Sequence, residues 1–137
     1  MPHFSRIGAL AALLAAAALT GCAALQPQSP EEIVAQRAQQ RWELLKKQDF
    51  AKAWDYTQPG FRAVVPQADY AKRFGSQVAW KTTELQKVEC QPERCTVTMR
   101  LTSLVTLPGF GRDREVGTSV KEEWVRDEGQ WWFYQAL

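Results

Sequence analysis

Glu122 and Tyr134 are the pair whose types and spacing best suit chemistry in this chain. Glu122 lies between Val120 and Trp124 in an alternating stretch, so a strand would hold it on the apolar face. A carboxyl placed there loses hydration and its pKa rises, as a general base working near neutral pH requires. Pairing of the last two expected strands sets Tyr134 opposite it, where a phenol can polarise a carbonyl. The rival reading puts Glu122 at the open edge of the sheet, solvated or hydrogen-bonded to Tyr134. Asp55-Tyr56 is a second acid–phenol pair, but helix neighbours point apart and it reads as surface. The single histidine is His3, ahead of an apolar run. If that segment is removed, Ser-His-Asp and Cys-His arrangements and imidazole metal sites are excluded. Phosphate-cradling glycine loops are absent too, so no cofactor and no metal are expected.

The apolar run extends from Ile7 to Leu19, behind a short polar start containing His3 and Arg6, and ends in Leu19-Thr20-Gly21-Cys22. It is too short to span a hydrocarbon core, which takes about 20 residues. The pattern is that of a secretory signal. With Leu three places before the cleavage point and Gly just before Cys22, it resembles a bacterial lipobox. The resemblance implies removal of residues 1–21, a diacylglyceryl thioether on Cys22 and an acylated, palmitate-type amino terminus. Several acyl chains, at about 0.8 kcal/mol per buried CH₂, make such an anchor effectively permanent. Ala23, rather than Asp, after the cysteine implies the outer membrane, facing the periplasm. The alternative is an ordinary secretory signal that happens to end near a cysteine.

With Cys22 set aside, Cys90 and Cys95 remain as an even pair in an exported chain and are expected to form a disulfide. A redox or metal role is the rival, disfavoured because the spacing is not C-x-x-C. Net charge is +2 with no dense basic run, so no nucleic-acid partner is expected. All six tryptophans follow residue 22, which implies an aromatic core or a ring-lined cavity.

Residues 22–29 form a tether reaching at most about 25 Å from Cys22, so the domain, residues 30–137, rides close to the bilayer. Ser29-Pro30-Glu31-Glu32 combines an N-cap, a first-turn Pro and a capping-box Glu. Val34, Ala38, Trp42 and Leu45 then recur at helical spacing to about Lys47, with Gln and Arg assigned to the other face. Asp49 caps a short second helix carrying Phe50 and Trp54. Gln58-Pro59-Gly60 reads as a breaker, and Pro66 opens a third helix ending near Gly75.

Strands follow at Val78–Cys90, Cys95–Leu107, Glu115–Arg126 and Gln130–Leu137. The turn Gln91-Pro92-Glu93-Arg94 sets Cys90 opposite Cys95 and Val88 opposite Val97. A regular ladder would then pair Trp80 with Val105 and Val78 with Leu107. It would also pair Glu84 with Leu101, leaving Leu85 out of phase, so a β-bulge is expected near Thr83–Gln86. Asp127-Glu128-Gly129 fits a three-residue loop, which puts Trp124 across from Trp132 and Glu122 across from Tyr134.

The opening helix around Trp42–Leu45, the turn Asp49-Phe50-Ala51-Lys52-Ala53-Trp54 and the stretch Trp124-Val125-Arg126-Asp127-Glu128-Gly129-Gln130-Trp131 carry a further likeness. In this order they resemble the nuclear-transport-factor-2-like (cystatin-like) superfamily over residues 30–137. The resemblance implies an α+β cone: N-terminal helices packed on a curved antiparallel sheet of about four strands, with a pocket at the open end. The fold hosts enzymes and binding modules alike.

The leading expectation is a non-enzymatic, outer-membrane lipoprotein. Its domain would bind a hydrophobic small molecule or an envelope protein, with Trp80, Met99, Trp124 and Trp132 lining the pocket. The alternative is an isomerase- or hydratase-like enzyme with Glu122 as base and Tyr134 as electrophile. A third reading is a homodimer through the outer sheet face around Trp131 and Phe133.

Overall fold

The computed structural model describes residues 26–74, 79–106, 109, 111 and 113–137. The expectations for the leader, the lipobox and Cys22, the helix end at Gly75 and the Val78–Leu107 pairing lie outside the described residues. Within them the chain is an α+β fold, helices first and then a four-stranded antiparallel sheet in sequence order.

Helix α1 is Pro30–Lys46, and its start is built as the sequence dictates. Ser29 Oγ accepts from Glu32 N–H at 3.2 Å, and Glu32 returns the bond to Ser29 N–H at 2.8 Å. Its buried stripe is Val34, Ala38, Arg41, Trp42 and Leu45. Helix α2 is Phe50–Trp54, with Asp49 Oδ1 accepting from Lys52 N–H. Helix α2 ends before Gln58-Pro59-Gly60, in keeping with a breaker, but the segment is not a plain loop. Pro59 instead opens helix α3, Pro59–Val64, because a proline in the first turn gives up no intrahelical bond. Helix α4 is Gln67–Tyr70, continued by a 3₁₀ turn at Ala71–Arg73.

Strands β1 (Ala79–Gln91), β2 (Arg94–Thr106), β3 (Asp113–Asp127) and β4 (Gln130–Phe133) complete the sheet. Cys90 and Cys95 pair across the first turn and form the disulfide. The expected bulge is present: Leu85 pairs with Met99 and Lys87 with Thr98, leaving Gln86 unpaired. A second irregularity at Lys81 slips the ladder once more, so Trp80 faces Ser103 rather than Val105.

The β3–β4 hairpin also departs from expectation. Trp124 pairs with Phe133, Val125 with Trp132 and Asp127 with Gln130. The loop is thus two residues, Glu128 and Gly129, both at positive φ (49° and 77°). A one-residue change of register exchanges the faces of every side chain on β4. Trp131 and Phe133 therefore share the helix-facing side with Trp124. β4 ends at Phe133 rather than Leu137, and its outer edge takes Gln58 N–H on Phe133 O while Phe133 N–H bonds Tyr56 O.

The core lies between α1 and the helix-facing side of the sheet. Cys95, Val97, Met99, Leu101, Trp124 and Trp131 are all at most 4% exposed. Each large apolar side chain buried there contributes about 1.5–3 kcal/mol. The outward side is polar: Glu84 opposes Arg100, Glu89 opposes Thr96, and Arg94 bonds Glu123 at 2.6 Å. One wet face and one dry face is the ordinary solution for an antiparallel sheet.

Candidate functional site

Glu122 points into the core from β3, 6% exposed, and its partner is Arg41 of α1, 3% exposed. Arg41 occupies the inner stripe of α1, seven residues after Val34 and four before Leu45, so the helical period carries it inward. Arg41 Nη1 donates to Glu122 Oε1 at 2.7 Å, and Nη2 donates to the Tyr70 hydroxyl at 3.0 Å. The guanidinium lies 3.6 Å from the centre of the Phe133 ring. Trp124 Nε1 donates to the other carboxylate oxygen at 3.4 Å. One cation and one anion thus sit among Trp42, Tyr70, Trp124 and Phe133.

Burial pushes the Glu122 carboxyl above the usual carboxylate range, opposed mainly by the nearby Arg41 charge and then by the Trp124 and Trp42 indoles. The Trp42 N–H favours the ionised form from beyond hydrogen-bond geometry, and among the described residues it is buried without a hydrogen-bond partner, as is Arg41 Nε. The group is a charged clasp tying α1, α4 and β3 together.

Tyr134 does not meet Glu122. It follows β4 on the outward side, 43% exposed, with Arg94 6.0 Å from its ring. The phenol that shares the carboxylate's cation is Tyr70, which neither periodicity nor motif singles out. Met99 and Trp124 are fully buried in the core. Trp80 is half-buried and packs edge-on against Trp42 and Phe74, with ring centres 5.5 and 6.0 Å apart. Trp132 is half-buried at the edge strand, its ring faced by Arg62 at 4.6 Å and Arg37 at 5.2 Å. The four rings and side chains expected to line one pocket are thus dispersed: two packed solid, one at a helix contact and one at the sheet edge. Trp131 and Phe133, expected on the outer face, turn inward for the reason of register given above.

Open space lies elsewhere. A cleft of about 790 Å³ runs along the far end of the β2–β3 ladder, lined by residues including Ser103, Leu104, Val105, Val116 and Thr118. Leu104 and Val116 are 38% and 49% exposed there. A smaller cleft, about 280 Å³, opens beside the start of α1 between Gln28, Ile33, Arg37, Arg126, Gln130 and Trp131. Among the described residues no cluster of three metal-ligating side chains comes together, and no helix is long and apolar enough to cross a membrane.

No family model matches the sequence, and no curated protein matches it. Among solved structures the chain is similar to the solution structure of a SEC-C motif containing protein from Rhodopseudomonas palustris. The likeness has a TM-score of 0.55 at 16% identity, and covers 72% of this chain and 73% of that one. At that identity the likeness concerns the fold alone.

Proposed function

We propose that the chain is an outer-membrane-anchored periplasmic lipoprotein whose nuclear-transport-factor-2-like domain is a non-enzymatic binding or assembly module for an envelope protein. The observation that carries the non-enzymatic reading is the engagement of Glu122, whose two oxygens are taken by Arg41 and the Trp124 indole. The enzyme alternative has the raised carboxyl pKa in its favour, but Tyr134, its intended electrophile, is on the other side of the sheet. The Cys90–Cys95 disulfide supports an oxidising compartment, in keeping with export.

The partner surface is the helix-facing side of the far end of the sheet, where Val116 is left half exposed among the described residues. Packing of Met99 and Trp124 inside the core argues for a protein partner over a small ligand held among those rings. A photo-crosslinker at Val116 in living cells should capture a discrete envelope protein, and one at Thr98 on the polar face should not. Equal labelling from both positions would remove this assignment. Native mass spectrometry of the same preparation decides whether a small hydrophobic molecule occupies the cleft instead. Anchoring is tested separately: Cys22→Ser should move the protein from the membrane to the soluble periplasmic fraction. Persistence in the membrane would sink the lipid anchor.

A further inference from the structure

We infer that Arg37, supported by Arg126 and Arg62, forms a binding site for a phosphate-type oxyanion in the cleft beside the start of α1. Arg37 is half-buried on α1, its guanidinium carbon 4.9 Å from the centre of the Tyr56 ring and 5.2 Å from that of Trp132. Both rings lie beside the guanidinium, and among the described residues no hydrogen bond or ion pair takes up its N–H groups. Arg37 Nε is buried without a hydrogen-bond partner, and among the described residues no carboxylate pairs with the group.

A second cation shares the Trp132 ring. Arg62 lies 4.6 Å from its centre, and its Nη1 is bonded to the carbonyls of Asp55 and Thr57. Two guanidinium groups drawn to one indole without an acid between them repel each other. Burial weighs most against the charged form of Arg37; Tyr56 opposes that effect and the Arg62 charge adds to it, although an arginine keeps its proton. The cleft itself is lined by two arginines, Arg37 and Arg126, and by no carboxylate among the described residues. A planar, preoriented donor fork with unused N–H groups is the group that phosphate oxygens fit best. Ile33 and Trp131 line the same cleft and add apolar surface beside the two arginines.

Two sources can supply that chemistry: free phosphate, or the phosphodiester of an anionic phospholipid. The site does not depend on the anchor. Only the preference for a lipid source rests on the proposed anchoring at Cys22, which would hold Gln28 and the cleft within about 20–25 Å of a bilayer.

The test uses the full exported chain carrying Cys22→Ser, so that no covalent lipid contributes. Calorimetric titration with inorganic phosphate should show saturable binding, at least tenfold weaker in Arg37→Gln. Sedimentation with vesicles then separates the sources. Retention on phosphatidylglycerol but not phosphatidylethanolamine vesicles, lost in Arg37→Gln, assigns the lipid headgroup. Phosphate binding without that lipid preference assigns the free anion. Absence of both, or equal behaviour of wild-type and Arg37→Gln chains, overturns the site. If Arg37→Gln fails to fold, the exposed Arg126→Gln takes its place, and undiminished affinity in that variant overturns the site equally. Fractionation of cells carrying unaltered Cys22 reports on the anchor alone, so the two readings fail independently.

Discussion

Strands β2 and β3 are each built in two halves. Near the disulfide, Val97, Met99, Leu101, Glu122 and Trp124 lie under α1 at no more than 6% exposure. Further along the same strands, Leu104 and Val116 reach 38% and 49%. Backbone pairing is continuous through both halves, from Arg94–Val125 to Thr106–Asp113. Hydrogen bonding therefore does not distinguish them; the helices do. In the covered half the helix-facing side chains are buried by several neighbours, and even a charge is tolerated because Arg41 answers it. In the uncovered half the ladder carries apolar groups that nothing among the described residues has to fix, and such surface is available for a partner.

The largest expected effect comes from breaking the clasp in the covered half. Arg41→Ala leaves Glu122 buried beside no cation, and removing one member of a buried pair costs about 3–5 kcal/mol. Urea denaturation should register it as a lower midpoint at unchanged slope. Replacing both members, as Arg41→Met with Glu122→Leu, should recover most of that loss, because two desolvated charges then need no compensation. A double variant as unstable as Arg41→Ala would mean the clasp serves more than charge balance. Next in size is the disulfide. Closing so short a loop is worth about 2 kcal/mol in the chain-entropy description. Cys90→Ala with Cys95→Ala should lose about that amount, measured against the oxidised protein.

The same division explains what the residues disclosed in advance. The α1 cap was legible because Ser29, Pro30 and Glu32 act within one turn. The cysteine hairpin was legible because Cys90 and Cys95 fix their own pairing, and the Gln86 bulge because Leu85 stood one place out of phase. The β3–β4 register was not. Asp127-Glu128-Gly129-Gln130 accommodates either a two- or a three-residue loop, and Glu128 at φ 49° is an unusual residue for the left-handed position. Trp131, Trp132, Phe133 and Tyr134 are all aromatic, so alternation held no phase information there. Arg41 was missed for a different reason. An arginine on an apolar helical stripe reads as misplaced until its carboxylate, 81 residues away, is brought beside it.

Acidity sharpens the contrast between the halves. Desolvation raises the Glu122 pKa in the folded protein above its unfolded value of about 4.3. The fold thus favours the protonated carboxyl more than the unfolded chain does. Its contribution is complete below the unfolded value and is lost as pH rises through the raised folded value. Stability followed by urea midpoint from pH 4 upward should decline over that window. Glu122→Gln should remove this decline. Because Arg41 opposes the shift, the change should be smaller than that of Arg41→Ala. A wild-type midpoint that rises over the same window would show that the ion pair outweighs burial.

The smallest effect on stability is expected in the uncovered half, where it carries the most functional information. Val116 is half exposed and opposes Ser103, so Val116→Asp removes little buried surface and adds a charge that water can reach. Such surface changes normally alter stability by less than about 0.5 kcal/mol. The same change should abolish crosslinking to an envelope partner, since an apolar contact surface does not tolerate an unpaired carboxylate. Folding and binding are thereby separated: Arg41→Ala lowers both together, whereas Val116→Asp should lower only binding. If Val116→Asp destabilises the protein by more than about 1 kcal/mol, the far half belongs to the core after all. The contrast between the two halves of the sheet would then collapse, and the partner surface would have to be sought on the polar face.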